Sequence, residues 1–144
     1  MFADNIRLKV KALEKTKTKY EASVIKSSIH SDIRKYSDLL IPLQSEAAFY
    51  ESQKLKIDLT QKNWHNQLSF DPGRKTFHFE HMTPVNHLTD LCIEKPEEIE
   101  KILDSCIVVW ILKSEDKVLN DLGFRKKRFD PEEVYKKAKI FLKK

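Results

Sequence analysis

Apolar residues recur every three or four positions through the first forty residues of the chain. Ile6, Val10, Leu13 and Tyr20 keep this spacing, and lysines take most of the remaining faces. A second apolar set continues the period up to the proline at position 42: Ile25, Ile29, Ile33, Tyr36, Leu39 and Leu40. The spacing matches an α-helical turn and predicts amphipathic helices. Three serines suggest a break or cap between two of them: Ser27, Ser28 and Ser31.

The pattern changes after Asp71-Pro72-Gly73, which is the clearest turn in the sequence. Proline presets one backbone angle, and glycine accepts the positive φ that can follow. Residues 76–80 then alternate between apolar and polar positions, which predicts a strand ending near His81. The apolar, β-branched run at 107–112 predicts a second strand.

Helices are predicted around these strands. Residues 43–54 form one after the proline at position 42, and two short helices, 86–92 and 96–103, lie between the strands. Ser114 is the predicted cap of a helix that begins at Glu115 and stops at Gly123. Asp130-Pro131 starts a last helix that leads toward the C-terminus.

The order of elements predicts an α+β fold in one domain, residues 1–144. Its parts are a helical region (1–70), a two-stranded core with a helical insertion (71–123), and a basic loop with a C-terminal helix (124–144). The recurrent apolar positions give the predicted core, which is Val10, Leu13, Ile33, Leu40, Leu91, Leu103, Val109, Ile111, Leu119, Val134 and Phe141.

Composition narrows the class of protein. With 40% hydrophobic and 34% charged residues, the 144-residue chain suits a folded domain better than a disordered segment. No apolar run is long enough for a membrane span, and the first residues lack the apolar stretch of a signal peptide, so the cytoplasm is the expected location. Cys92 and Cys106 are predicted to be buried apolar residues. The net charge of +5 is compatible with an anionic partner.

Three of the five histidines lie close together at the end of the first predicted strand: His78, His81 and His87. His81 stands in the sequence Glu80-His81-Met82-Thr83-Pro84. On the helix after the second strand, Asp116 and Asn120 are four positions apart and therefore share a face. His78 alternates with phenylalanines and is interpreted as a strand residue, packed or half exposed, in preference to a ligand.

This arrangement of strand, insertion, strand and helix resembles the ββα-metal core of the HNH nucleases, also called His-Me finger nucleases. The resemblance covers residues 75–123. It implies that His81 is the general base, and that Glu80, with Asp116 or Asn120, binds Mg²⁺ or Mn²⁺. Oxygen ligands suit these ions better than zinc.

The resemblance implies a metal-dependent endonuclease whose expected substrate is DNA. One run of four basic residues follows the helix that would bind the metal and is expected to contact phosphates: Arg125, Lys126, Lys127 and Arg128. Two other classes of protein stay open. One is a nucleic-acid-binding or protein-interaction domain that keeps the scaffold without catalysis, and the other is an unrelated helical interaction protein. A protein partner or a homo-oligomer is compatible with each, and a membrane is not expected.

Overall fold

The computed structural model describes residues 1–125, 128 and 130–144, which form two compact units. The first unit comprises residues Met1–Ser37 and Val85–Cys106, and the second comprises Asp38–Pro84 and Ile107–Lys144. Within the described residues there are seven α-helices and one small mixed sheet of three strands. The predicted α+β class is therefore confirmed.

The helices are α1 (Phe2–Glu14), α2 (Lys19–Ser37), α3 (Glu46–Lys54), α4 (Val85–Glu94), α5 (Ile99–Asp104), α6 (Lys113–Asp121) and α7 (Pro131–Lys137). The strands are β1 (Leu43–Gln44), β2 (Phe77–His81) and β3 (Val108–Leu112). The predicted turn at Asp71 is present, with Gly73 at φ 70° inside a 3₁₀ turn. Both predicted strands are confirmed within one residue at each end.

The first unit packs α1, α2, α4 and α5 around an apolar interior. Its most deeply buried side chains include Ile6, Ile29, Ile33, Leu88, Cys92 and Ile99. Arg7 forms an ion pair with Glu100, with 2.7 Å between guanidinium nitrogen and carboxylate oxygen. This pair joins α1 to α5 at the surface of the unit.

The predicted break at Ser27, Ser28 and Ser31 is wrong, because α2 continues through all three serines. The helices separate earlier, at residues 15–18. There, the Thr18 hydroxyl accepts a hydrogen bond from the Glu21 N–H, and the Glu21 carboxylate accepts one from the Lys17 N–H. These two bonds form a variant of the capping box, which fixes the start of α2.

The second unit is built on the sheet, whose strand order is β1-β3-β2. β1 runs parallel to β3, and β2 runs antiparallel to it. Successive side chains of a strand point to opposite faces. Phe77 and Phe79 therefore lie on one face with Trp110, where they form a buried aromatic cluster.

The opposite face of the same sheet carries His78 and Glu80, in register with Ile111 and Val109. Val109 and Ile111 belong to a second buried cluster, completed mainly by residues of α6, α7 and the C-terminal segment: Met82, Leu119, Val134, Tyr135, Ala138 and Ile140. Two polar side chains thus lie at the border of an apolar core.

Other predicted boundaries need correction. Residues 43–54 are not one helix, since Leu43–Gln44 pairs with β3 and Ser45 then caps α3. The last helix ends at Lys137, and the chain returns to pair with residues 44–46. Ser114 does not cap α6; the Glu115 carboxylate accepts the Leu112 N–H in its place, at 2.8 Å.

Most of the predicted core is confirmed. Seven of the predicted residues are buried: Val10, Ile33, Leu103, Val109, Ile111, Leu119 and Val134. Leu13, Leu40 and Leu91 are half-buried. The prediction that Phe141 belongs to the core is wrong, because α7 ends before this residue and 57% of its surface is exposed.

Both cysteines are buried, as predicted, and burial raises the pKa of the Cys92 and Cys106 thiols to about 11. No helix in the described part of the chain combines the length and the apolar character that crossing a bilayer requires.

We predict that Asp71 is a stability determinant of the second unit. Its buried carboxylate accepts hydrogen bonds from the Phe77 N–H (2.9 Å) and from Gln67 Nε2 (3.0 Å). Asp71→Ala leaves both donors without this acceptor and should lower the free energy of unfolding by about 1–3 kcal/mol at pH 7. Urea denaturation measures the change, and Glu97→Ala, at an exposed site, is the control.

The same interaction should depend on pH. Burial opposes ionisation of Asp71, but the hydrogen bonds from Phe77, Gln67 and Thr76 outweigh it, so the pKa lies below its ordinary value. A depressed carboxyl pKa contributes stability above the pKa of the unfolded chain, which is about 3.9. That contribution is lost as the pH falls through the folded-state pKa, so wild type and Asp71→Ala should converge in stability in acid. A constant difference down to pH 2 would contradict the assignment.

Candidate metal centre

Three potential metal ligands meet on the polar face of β2. His78 and Glu80 are two residues apart on the strand and therefore point to the same side. Asp116 reaches them from the first turn of α6, which starts directly after β3 without a connecting loop. The strand pairing of β2 with β3 thus places the start of α6 beside both side chains.

The ligand atoms are close enough to share one ion. His78 Nε2 lies 3.1 Å from Glu80 Oε2 and 3.5 Å from Asp116 Oδ1, and one ligand atom from each residue falls within 4.8 Å of the others. With metal–ligand bonds of about 2.1 Å, neighbouring ligands are separated by about 3.0 Å at a right angle and about 3.4 Å in a tetrahedron. The two distances from His78 Nε2 are close to these values.

The start of α6 is held in place by its own glutamate. Glu115 Oε2 accepts hydrogen bonds from the Leu112 N–H (2.8 Å) and from the Ser45 hydroxyl (2.7 Å). Ser45 also caps α3, because its hydroxyl oxygen accepts the Ala48 N–H at 3.0 Å. The two bonds to Glu115 fix the first turn of α6, and with it the direction of Asp116.

Glu80 is the most buried ligand, with 6% of its side chain exposed, and it forms an ion pair with Arg128 through Oε1. Arg128 also donates to the carbonyl oxygens of His81 (2.9 Å), Met82 (3.1 Å) and Phe124 (2.7 Å). Burial opposes ionisation of Glu80, but the hydrogen bond from His78 and the charge of Arg128 outweigh it and hold its pKa below the ordinary value. Glu80 is therefore a carboxylate at neutral pH.

A second cation completes the cluster. Lys113 Nζ lies 3.5 Å from Nδ1 of His78, on the side of the imidazole away from the carboxylates. With His78 neutral, Lys113 and Arg128 balance the charges of Glu80 and Asp116. A divalent cation would therefore give the site a net positive charge.

Tyr135, on α7, borders the same cluster. Its hydroxyl is buried, and it has no hydrogen-bond partner within the described part of the chain. Burial raises the pKa of Tyr135 far above its ordinary value, with further contributions from the charges of Glu80, Glu115 and Asp116, which outweigh the opposing charge of Arg128. The hydroxyl therefore keeps its proton and can act as a donor.

The predicted site residues are only partly brought together. Glu80 and Asp116 belong to the cluster, whereas Asn120 is exposed one turn further along α6. β2 continues through His81, which pairs with Val108, so the His81 side chain points to the face opposite Glu80. Its ring packs against Phe79, with 6.0 Å between the ring centroids.

The structure describes only two of the four residues in the predicted basic run. Arg125 is exposed, Arg128 is buried in the cluster, and Lys126 and Lys127 lie outside the described residues. Sequence reasoning missed His78 as a candidate ligand. The available signal was its spacing of two from Glu80 on a predicted strand, which places both side chains on one face.

Comparisons with protein-family models, with curated proteins and with solved structures found no match.

We predict that the ion pair between Glu80 and Arg128 is essential for stability. Arg128→Met leaves a buried carboxylate without its counter-charge and should lower the free energy of unfolding by about 3–5 kcal/mol. The matched control is Arg125→Met, at an exposed site three residues earlier, which should change stability by about 0.5 kcal/mol or less. Chemical denaturation of both variants gives the comparison.

A double-mutant cycle separates the pair from the other bonds of Arg128. Glu80→Gln removes the charge that Arg128 neutralises, so the combined variant should recover part of the lost stability. Equal effects of Arg128→Met and Arg125→Met would contradict the prediction.

Proposed function

We propose that the second unit binds a divalent transition-metal ion through His78, Glu80 and Asp116, and that it hydrolyses phosphodiester bonds of nucleic acid, with DNA as the expected substrate. The observation that carries the proposal is the proximity of these three ligand atoms, which lie within 4.8 Å of one another beside the sheet. The resemblance to HNH nucleases supports the same chemistry, because all three residues fall within residues 75–123. The cytoplasm stays the predicted location.

The ligand set favours one of the two predicted ions. Mg²⁺ prefers oxygen ligands and retains several waters, whereas a mixed set of imidazole and carboxylate suits a first-row transition ion. Mn²⁺ is therefore preferred to Mg²⁺. Zn²⁺ is the alternative, because imidazole and carboxylate are both common ligands of zinc.

The bound ion would supply a Lewis acid and lower the pKa of a coordinated water. The residues of the chain supply the rest of the site. Arg128 orients Glu80, leaving Oε2 toward His78, and Lys113 adds a positive charge beside the imidazole. A positive site of this kind attracts the negative phosphodiester and stabilises the negative charge that builds up during hydrolysis.

The charge of the second unit agrees with an anionic substrate. It contains 16 lysines and arginines against 12 aspartates and glutamates, so it carries +4 of the net charge of +5. Excess positive charge attracts nucleic acid without sequence preference. The first unit, in contrast, is close to neutral.

The proposal differs from the residue roles that the resemblance implies. It assigns the nitrogen ligand to His78, and it gives His81 and Asn120 no direct contact with the ion. His81 lies on the other face of β2 from Glu80. It is therefore a matched control for His78, on the same strand and three residues away.

A second candidate function is binding without catalysis. The specific observation in its favour is the ion pair between Arg128 and Glu80, which neutralises a metal ligand with a protein cation. In that case the cluster would stabilise the fold, and the second unit would bind nucleic acid or a protein partner. Measurements of metal binding and of metal-dependent cleavage together separate the two candidates.

The first test is calorimetric titration of Mn²⁺ into wild type, His78→Ala and His81→Ala, followed by Mn²⁺-dependent cleavage of plasmid DNA. His78→Ala removes a ligand and should raise the Kd for Mn²⁺ roughly tenfold or more and abolish cleavage. His81→Ala should bind Mn²⁺ like wild type.

The outcomes separate the candidate functions. A wild-type protein that binds neither Mn²⁺ nor Zn²⁺ would refute the metal site. Binding of Mn²⁺ without cleavage would leave a metal-binding protein without nuclease activity. Loss of cleavage in His81→Ala with unchanged Mn²⁺ binding would return the role of general base to His81.

The second test addresses the basic run while leaving the ion pair of Arg128 intact. Replacing Arg125, Lys126 and Lys127 together by serine should weaken DNA binding for all sequences alike. The slope of log K against log salt should fall by about 0.9 for each phosphate that the variant no longer neutralises.

The matched control for this test is the triple serine variant of Lys11, Lys15 and Lys17, which removes the same charge from the first unit. Fluorescence anisotropy at several salt concentrations gives both slopes. Equal slopes for the two variants would show that the basic run has no specific part in binding.

A further inference from the structure

Packing alone does not explain why residue 135 carries a hydroxyl group. Tyr135 is 3% exposed and lies in the apolar cluster that contains Val109, Ile111 and Leu119. A buried hydroxyl without a partner costs about 1–3 kcal/mol in stability. Phenylalanine would fill the same space without this cost, so the hydroxyl points to an interaction with a ligand-bound form of the site.

The apolar cluster that contains Tyr135 lies beside the candidate metal centre. Val109 and Ile111 are the register partners of Glu80 and His78 on the sheet. Leu119 lies three residues after Asp116 on α6 and therefore on the same side of that helix. Tyr135 thus belongs to an apolar cluster whose members neighbour all three ligand residues.

The carboxylates near Tyr135 differ in how fully they are already bound. Glu80 is held by Arg128 and His78. Glu115 accepts hydrogen bonds from the Leu112 N–H and the Ser45 hydroxyl. Asp116 makes one polar contact among the described residues, the 3.5 Å approach to His78. It is the carboxylate with the most capacity to accept another hydrogen bond.

We propose that Tyr135 is a positioning residue of the metal centre, whose hydroxyl donates a hydrogen bond to the Asp116 carboxylate when that carboxylate binds the ion. The inference rests on the proposed metal site. A carboxylate that binds an ion through one oxygen presents its other oxygen to a donor, and such a donor fixes the orientation of the ligand. The phenol suits this role because it can donate without adding charge.

The test is the isosteric variant Tyr135→Phe, with Mn²⁺ as the probe. Without metal, the variant should be as stable as wild type or more stable, because an unpaired buried hydroxyl has been removed. With metal, its Kd for Mn²⁺ should rise roughly tenfold. Thermal unfolding and calorimetric titration measure the two effects, and Tyr36→Phe in the first unit is the control.

A double-mutant cycle tests whether the hydroxyl acts through Asp116. In an Asp116→Ala background, Tyr135→Phe should change the Kd for Mn²⁺ less than about twofold, because the acceptor is already absent. A tenfold effect that persists in this background would overturn the proposed contact.

The binding measurements distinguish a wrong role for Tyr135 from a wrong metal site. If wild type binds Mn²⁺ and Tyr135→Phe binds it equally well, the role of Tyr135 is refuted while the site stands. A less stable metal-free variant with an unchanged Kd would make the hydroxyl purely structural. If wild type binds no divalent ion, both proposals fail together.

Discussion

The second unit depends on one buried ion pair, between Glu80 and Arg128. The Glu80 carboxylate lies on the face of the sheet that it shares with His78 and with the buried residues Val109 and Ile111, where an isolated charge would be strongly unfavourable. Arg128 neutralises it and also donates to the carbonyls of His81, Met82 and Phe124. One guanidinium therefore connects the end of β2 to the segment that follows α6. It also fixes the carboxylate so that its other oxygen faces His78.

The division of β2 into two faces follows from the same constraint. Phe77 and Phe79 bury their rings with Trp110 on one side, and their packing leaves no choice of register for the strand. Shifting the strand by one residue would move Glu80 into the aromatic cluster and away from Arg128. The packing of the aromatic face thus fixes the position of the polar face, and with it the contact between Glu80 and Arg128.

Local signals in the sequence were sufficient for most of the elements. The turn at Asp71, the strands β2 and β3 and the start of α7 at Asp130 each depend on residues within a few positions, and each is confirmed. β1 could not be predicted in this way, because two residues form a strand only when β3 and the C-terminal segment are both present to pair with them. Thr18 and Glu21 also indicate the start of α2 in the sequence, but the three serines at 27, 28 and 31 suggested a helix boundary further along the chain.

At the candidate site, the strand pairing separates His81 from Glu80. A turn of the backbone at the end of β2 would have brought His81 to the side of Glu80, but the strand includes His81 and places it on the other face. The role of His78 depends on Asp116 and Lys113, which are more than thirty residues away in the sequence. Contacts over such separations are set by the sheet register, which periodicity alone does not give.

The balance of charges links the ion to its substrate in the proposed function. With His78 neutral and no ion bound, Lys113 and Arg128 balance the charges of Glu80 and Asp116. An ion adds two positive charges next to Lys113, and an anion beside the ion offsets that repulsion. Because such coupling is reciprocal, phosphate should strengthen binding of the ion by the same factor by which the ion strengthens binding of phosphate. A site built in this way would hold its metal most tightly when the phosphodiester is present.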